Sequence, residues 1–112
     1  MIRAIPGRLG HALGLVRVAG ESMRPTLSPG DVLLVRYGGR VRSGRLVIVE
    51  LPGRGTAVKR ATRRVRQGWW VERDNPATGV DSWLVGAVPE HAVAGVVLGR
   101  VWPPRRPRRR RR

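Results

Sequence analysis

The sequence predicts a mostly β domain: a compact antiparallel sheet folded on itself, with little helix. Short apolar runs recur along the chain, each bounded by Gly, Pro, Asn, Asp or Ser, which is the pattern of strands joined by turns. The runs follow one another without the helix-length amphipathic segments that βαβ units require. At 112 residues the chain has room for one modest core and no second domain of comparable size.

Residues 1–14 place Ile2, Ile5, Leu9 and Leu13 at helical spacing, with Pro6, Gly7 and Gly10 interrupting it. They read either as a basic amphipathic segment able to rest on a membrane surface or as a flexible or packed lead to a domain spanning residues 15–103. Leu15 to Ala19 has the composition of a strand, and Gly20 ends it where a ligand backbone could approach closely. Ser22 follows on a tight bend, before Pro25. Ser28-Pro29-Gly30-Asp31 is a turn, Val32 to Val35 a buried strand, Arg42-Ser43-Gly44 another turn and Leu46 to Val49 another strand. Pro52-Gly53-Arg54-Gly55 closes a hairpin into a long strand, Thr56 to Arg66, that carries Lys59. Gln67-Gly68 turns it back into Trp69 to Glu72. After a loop over residues 73–82 the pattern predicts a short helix near Pro89 to Ala94 and a last strand, Val96 to Val101. Residues 104–112 are an arginine tail with nothing to bury, predicted to be disordered.

Composition removes several chemistries. There is no cysteine, hence no disulfide framework, thiolate nucleophile or cysteine metal site. With two histidines, His11 and His91, a histidine metal site is not expected, and no cofactor or metal is assigned. No apolar stretch reaches the eighteen or so residues of a membrane span, and the residues before Ser22 lack a secretory pattern, so the expected location is the cytoplasm. The net charge of +16 attracts polyanions, and the basic tail could give weak contact with an anionic membrane. Specific nucleic-acid binding is not expected, although arginines on phosphates with Trp69, Trp70, Trp83 or Trp102 stacked on bases form the competing reading.

Among 23 lysines and arginines, a single one, Lys59, is lysine. A high-GC genome would favour arginine; it does not account for this exception. A guanidinium stays protonated in any protein environment, whereas a buried amine can become neutral and act as a base. An unperturbed lysine is neutral in only about one molecule in a few thousand at pH 7. Bringing its pKa down by about three units takes roughly 4 kcal/mol, within reach of burial among apolar side chains; Val47, Val49 and Val58 are the expected walls. A serine hydroxyl needs such a base to become a nucleophile, and neither histidine has an evident triad context. Ser22 and Lys59 are therefore the candidate nucleophile and base. Alternation along a strand turns Arg60 away from Lys59, toward Asp74 or Asp81. The Ser22 N–H is the expected oxyanion donor, with Gly20 leaving space for the substrate carbonyl; the second donor is left open.

Four ordered motifs carry a family resemblance: Gly20-Glu21-Ser22-Met23-Arg24-Pro25-Thr26-Leu27, Gly30-Asp31-Val32-Leu33-Leu34-Val35, Val58-Lys59-Arg60, and Asp74-Asn75 through Asp81-Ser82 to Gly86. Together they resemble the boxes of signal peptidase I-like Ser/Lys proteases of the S24/S26 type, with closest likeness to the nickel-type superoxide dismutase maturation proteases. The resemblance implies the LexA/signal peptidase fold. It also implies Ser22 as nucleophile, Lys59 as general base, substrate contact at Gly20, Ser22, Met23 and Val58, and support from Arg60, Asp74, Asp81 and Ser82. The implied partner is a precursor protein with a short N-terminal leader, a nickel superoxide dismutase, bound as an added strand with small residues favoured before the cut.

The chain departs from the pattern at several places. Gly79 stands where many relatives have a serine that orients the lysine, leaving Thr78 or Ser82 as substitutes; Trp83 replaces an arginine; Gly20 removes a hydroxyl that some relatives add to the oxyanion hole. Fifteen positions separate Lys59 from Asp74, too few for the large β insertion of bacterial signal peptidases, and no membrane anchor is evident. A signal peptidase working on exported precursors at the membrane surface is the alternative. A LexA-like autoprotease is disfavoured by the short segment before Ser22.

Overall fold

The computed structural model describes residues 2–8 and 12–104; the arginine tail from Arg105 onward lies outside the described residues. The strands are β1 (Ile2–Arg8), β2 (Leu13–Val18), β3 (Val32–Tyr37), β4 (Leu46–Leu51), β5 (Gly55–Val65), β6 (Gly68–Glu72) and β7 (Val93–Trp102). They form one 7-stranded sheet in the order β1-β2-β3-β7-β4-β5-β6, antiparallel at every pairing. The sheet curls into a half-barrel, bringing β1 back against β5. Among the described residues, helix is confined to one four-residue segment, α1 (Ser82–Val85), and a single 3-10 turn at Glu90–Ala92. Among the described residues no helix is long and apolar enough to cross a membrane.

Alternation divides the central strands between two cores. Ile48 of β4 and Val58 of β5 enter a cluster with Val16, Val18, Met23, Leu33 and Val35. Val47, Val49, Ala57 and Ala61 enter a second with Trp69, Val71 and Val88. Both faces of β4 and β5 are thus buried, which is why Leu46 to Val49 reads as an unbroken apolar run rather than as alternation. Each fully buried valine or isoleucine contributes about 1.5–3 kcal/mol, and β5 holds several such groups around one buried amine. Lys59 falls between Ala57 and Ala61, on the face of the second core.

The helical spacing of the lead does not produce a helix. Residues 2–8 are an edge strand, paired as Ile2↔Val18, Arg3↔Arg17 and Ala4↔Val16, with a register shift before Arg8↔Gly14. Pro6, which has no N–H to donate, is tolerated at an edge. The bulge around Pro6 and Gly7 breaks the two-residue alternation by which the strand would have been recognised. The helix expected near Pro89 to Ala94 is only the 3-10 turn, and β7 begins at Val93. Between β6 and that turn, Trp69 and Val88 form a bridge. Gly68 permits it, since a Cβ there would stand 2.2 Å from the Val88 carbonyl oxygen. Of the tryptophans only Trp69 is buried; Trp70 meets Trp83 edge-on with centroids 5.2 Å apart, and Trp83 and Trp102 are exposed.

Candidate active site

The loop from Ala19 to Gly30 carries Ser22 and is closed at its base. The Val18 N–H donates to the Asp31 carbonyl at 2.8 Å and the Gly30 N–H to the Val18 carbonyl at 2.8 Å, while the Asp31 carboxylate accepts from the Ser28 N–H at 2.9 Å. Met23 and Leu27 anchor the loop in the first core. The segment after β6 grips it from the other side: the Asn75 N–H donates to the Ser22 carbonyl at 2.8 Å and the Asn75 side-chain amide to the Glu21 carbonyl at 3.0 Å. The Thr26 hydroxyl donates to Asp74 at 2.6 Å. Backbone bonds and apolar anchors therefore set where the serine hydroxyl points.

Opposite it stands Lys59, paired across the ladder with Val47 and only 2% exposed. Its Nζ donates to Ser22 Oγ at 2.7 Å, although 37 positions separate the two residues. Burial pushes the Lys59 amine below the usual lysine range; the Asp81 charge opposes this and the Arg73 charge reinforces it. An ammonium loses its hydration on burial and has no equivalent replacement there, so the neutral amine is favoured. Once neutral, the amine can accept the Ser22 proton along the same contact.

Arg60 turns to the other side of β5, and its acid is Asp74. Nε donates to Oδ1 at 2.9 Å and a terminal nitrogen to Oδ2 at 2.7 Å, a two-pronged ion pair of the strong type. The other terminal nitrogen donates to the Gly44 carbonyl at 2.7 Å. The hydrogen bond from Arg60 holds the Asp74 carboxyl below the usual carboxylate range; burial opposes it and the Thr26 hydroxyl assists. Asp81 instead caps α1, accepting from the Trp83 N–H at 3.1 Å, and meets Arg73 twice, through its backbone N–H at 3.0 Å and its guanidinium at 3.1 Å.

Of the two substitutes for an orienting serine, Ser82 accepts from the Val71 N–H at 2.8 Å, tying α1 to β6, and Thr78 is exposed at the cleft. Gly79 packs directly on Ser22: a Cβ there would lie 2.6 Å from Ser22 Cβ, at a φ of +100°. Trp83, in the place of an expected arginine, donates its ring N–H to Glu72 at 2.7 Å. The guanidinium beside Asp81 comes from Arg73, a residue with nothing in the sequence to single it out among so many arginines.

A cleft of about 390 Å³ opens beside the serine and lysine. Ala19, Gly20 and Glu21 line one side, Leu51, Arg54 and Ala57 another, and Thr78, Gly79 and Val80 the third. Met23 and Val58 lie in the first core, away from the cleft lining. Residues 55–60 of β5 pair with β4 on one edge, whereas β6 joins the other edge only from Arg60 onward. The edge of residues 55–59 thus has no β6 partner beside the cleft. Among the described residues, no three His, Asp or Glu side chains come together as metal ligands would.

A family model described as Peptidase S24-like matches residues 4–98, a span that contains every residue of this site. No curated protein and no solved structure matches the chain.

Two predictions follow from the packing. Because the folded Asp74 carboxyl sits below its unfolded value, its ion pair stabilises the protein fully above about pH 4 and is lost as pH falls through the lower folded value. Urea midpoints should therefore separate wild type from Asp74→Asn at neutral pH, and the gap should shrink in acid; a pH-independent gap would contradict the ion pair. Gly79→Ala should cost about 1–3 kcal/mol in urea unfolding, and an unchanged midpoint would contradict the close approach to Ser22.

Proposed function

Because the chain belongs to the Peptidase S24-like family, we propose that it is a serine endopeptidase with Ser22 as nucleophile and Lys59 as general base. The observation that carries this reading is the 2.7 Å contact between the buried Lys59 amine and the Ser22 hydroxyl. His91, by contrast, is exposed on the turn before β7.

The neutral Lys59 amine takes the Oγ proton as Oγ bonds to the scissile carbonyl carbon. Negative charge then collects on the carbonyl oxygen, where the Ser22 N–H is the proposed donor. Collapse of the tetrahedral intermediate breaks the C–N bond, and the Lys59 ammonium returns its proton to the departing amine. The acyl group remains on Ser22 as an ester. Lys59, neutral again, takes a proton from water as the water oxygen attacks the ester, and the Ser22 oxygen recovers that proton when the acid product leaves. No step calls for a cofactor.

The edge of residues 55–59, which has no β6 partner, and the exit of β2 at Ala19–Glu21 flank the cleft and suit an extended peptide bound as an added strand, as in β-augmentation. The substrate we propose, on the family resemblance, is a precursor with a short N-terminal leader, a nickel-type superoxide dismutase, cleaved in the cytoplasm. One observation favours a second setting, exported precursors at an anionic membrane: Leu98, Val101 and Trp102 are exposed on β7 just before the arginine-rich tail.

Co-expression with the dismutase precursor, followed by the mass of its N-terminal peptide, tests the reading. Wild type should trim the leader; Ser22→Ala and Lys59→Arg should not, since a guanidinium cannot give up its proton. Trimming by Lys59→Arg would remove the lysine from the mechanism. No trimming by wild type would shift the substrate to membrane precursors, tested by adding anionic vesicles carrying one.

A further inference from the structure

Asp81 poses a problem for a lysine base. It is 2% exposed, and its charge favours the protonated form of Lys59, against the effect of burial. A buried carboxylate left to itself beside an amine would draw a proton onto that amine and form an ion pair, and a protonated Lys59 cannot accept the serine proton. The acid's oxygens are engaged elsewhere. Oδ2 accepts the Arg73 N–H at 3.0 Å; Oδ1 accepts the Trp83 N–H at 3.1 Å and lies 3.1 Å from the Arg73 guanidinium.

We propose that Arg73 is a positioning residue for the dyad: its fixed charge neutralises Asp81 and so leaves Lys59 free to work as an uncharged base. The inference rests on the Ser22–Lys59 reading and adds a residue to it.

The local packing suits the role. The Arg73 side chain is half-buried and bends back to the Pro76 carbonyl at 3.3 Å, while its Nε is buried without a hydrogen-bond partner. The Arg73 Cδ lies 3.5 Å from where a Cβ at Gly79 would stand, an ordinary contact distance, and the same Cβ would lie 2.6 Å from Ser22 Cβ, which places the arginine stem beside the serine. Because a guanidinium remains protonated throughout the working range, the neutralisation does not change as Lys59 titrates.

The remaining charges around the lysine are accounted for on every side. From β4 it faces Val47, which is apolar. On β5 itself, Arg60 is turned away and held by Asp74. From the serine loop, Glu21 stands at the cleft wall and pairs with Arg24 at 3.4 Å; from the β4–β5 hairpin, Arg54 lines the same cleft. Asp81 and Arg73 act on the Lys59 charge with opposite signs.

The single lysine makes a direct test available. Protein labelled with 13C-lysine has one lysine Cε resonance, and its titration reports Lys59 without any substrate. Arg73→Gln should move the midpoint to higher pH by about one unit, equivalent to about tenfold less neutral amine at neutral pH. Arg73→Lys, which keeps the charge and adds a second Cε resonance, identified by its persistence in Arg73→Lys/Lys59→Arg, should leave the Lys59 midpoint at its wild-type position, and Asp81→Asn should move it to lower pH. An unshifted midpoint in Arg73→Gln would overturn the proposal, as would an equal shift in Arg73→Lys. If Arg73→Gln does not fold, Arg73→Met decides in its place, because it also removes the charge while keeping an apolar stem, and an unshifted midpoint there overturns the proposal equally. A failed leader-trimming experiment would leave this titration readable, so loss of the protease reading and loss of the Arg73 assignment are told apart.

Discussion

A primary amine held out of water against a serine hydroxyl is the constraint on which the rest of the molecule depends. Removing an ammonium from solvent costs several kcal/mol unless it is paired or loses its proton, and a protein that paired it fully would lose the base. The Lys59 environment keeps to a narrow course between these outcomes. Two apolar cores enclose β5 on both faces, the serine hydroxyl occupies the amine at 2.7 Å, and the neighbouring carboxylate is satisfied by other donors.

The surrounding loops follow from that requirement. Ser22 must meet a residue 37 positions away with little tolerance, so its loop is held from below by the β2–β3 closure and from the side by Asn75 and Asp74. Asp74 belongs to both systems, accepting from Thr26 on the serine loop and from Arg60 on the lysine strand. One ion pair on the far face of β5 thereby ties the Ser22 loop to the strand of Lys59. Gly79 completes the contact by bringing a third backbone segment against Ser22 where any side chain would collide.

Much of this was legible in the chain before folding. Strands β2 to β7 announce themselves by apolar or alternating runs between turn residues, and the lone lysine among arginines pointed to a buried amine, because only one of the two cations can lose its proton. The alternation of Lys59 and Arg60 put them on opposite faces, and the structure chose Asp74 over Asp81 for Arg60. Other features were hidden for physical reasons. A bulge at Pro6 and Gly7 erased the alternation of β1. The helix α1 has four residues, too few for a period, though Asp81 before it and Gly86 after it are ordinary cap signals. Arg73 was invisible because its role comes from a contact across the loop to Asp81, and nothing in a residue's type reveals its tertiary partner.

The protonation of Lys59 in the wild-type protein, read from the lysine 13Cε resonance and set beside the acidic limb of cleavage activity, tests the proposed dyad most directly. A neutral amine acting as base requires a midpoint clearly below the unperturbed value of about 10.4, coinciding with the limb. A midpoint at or above the unperturbed value would contradict it, as would activity that stays flat while the lysine titrates.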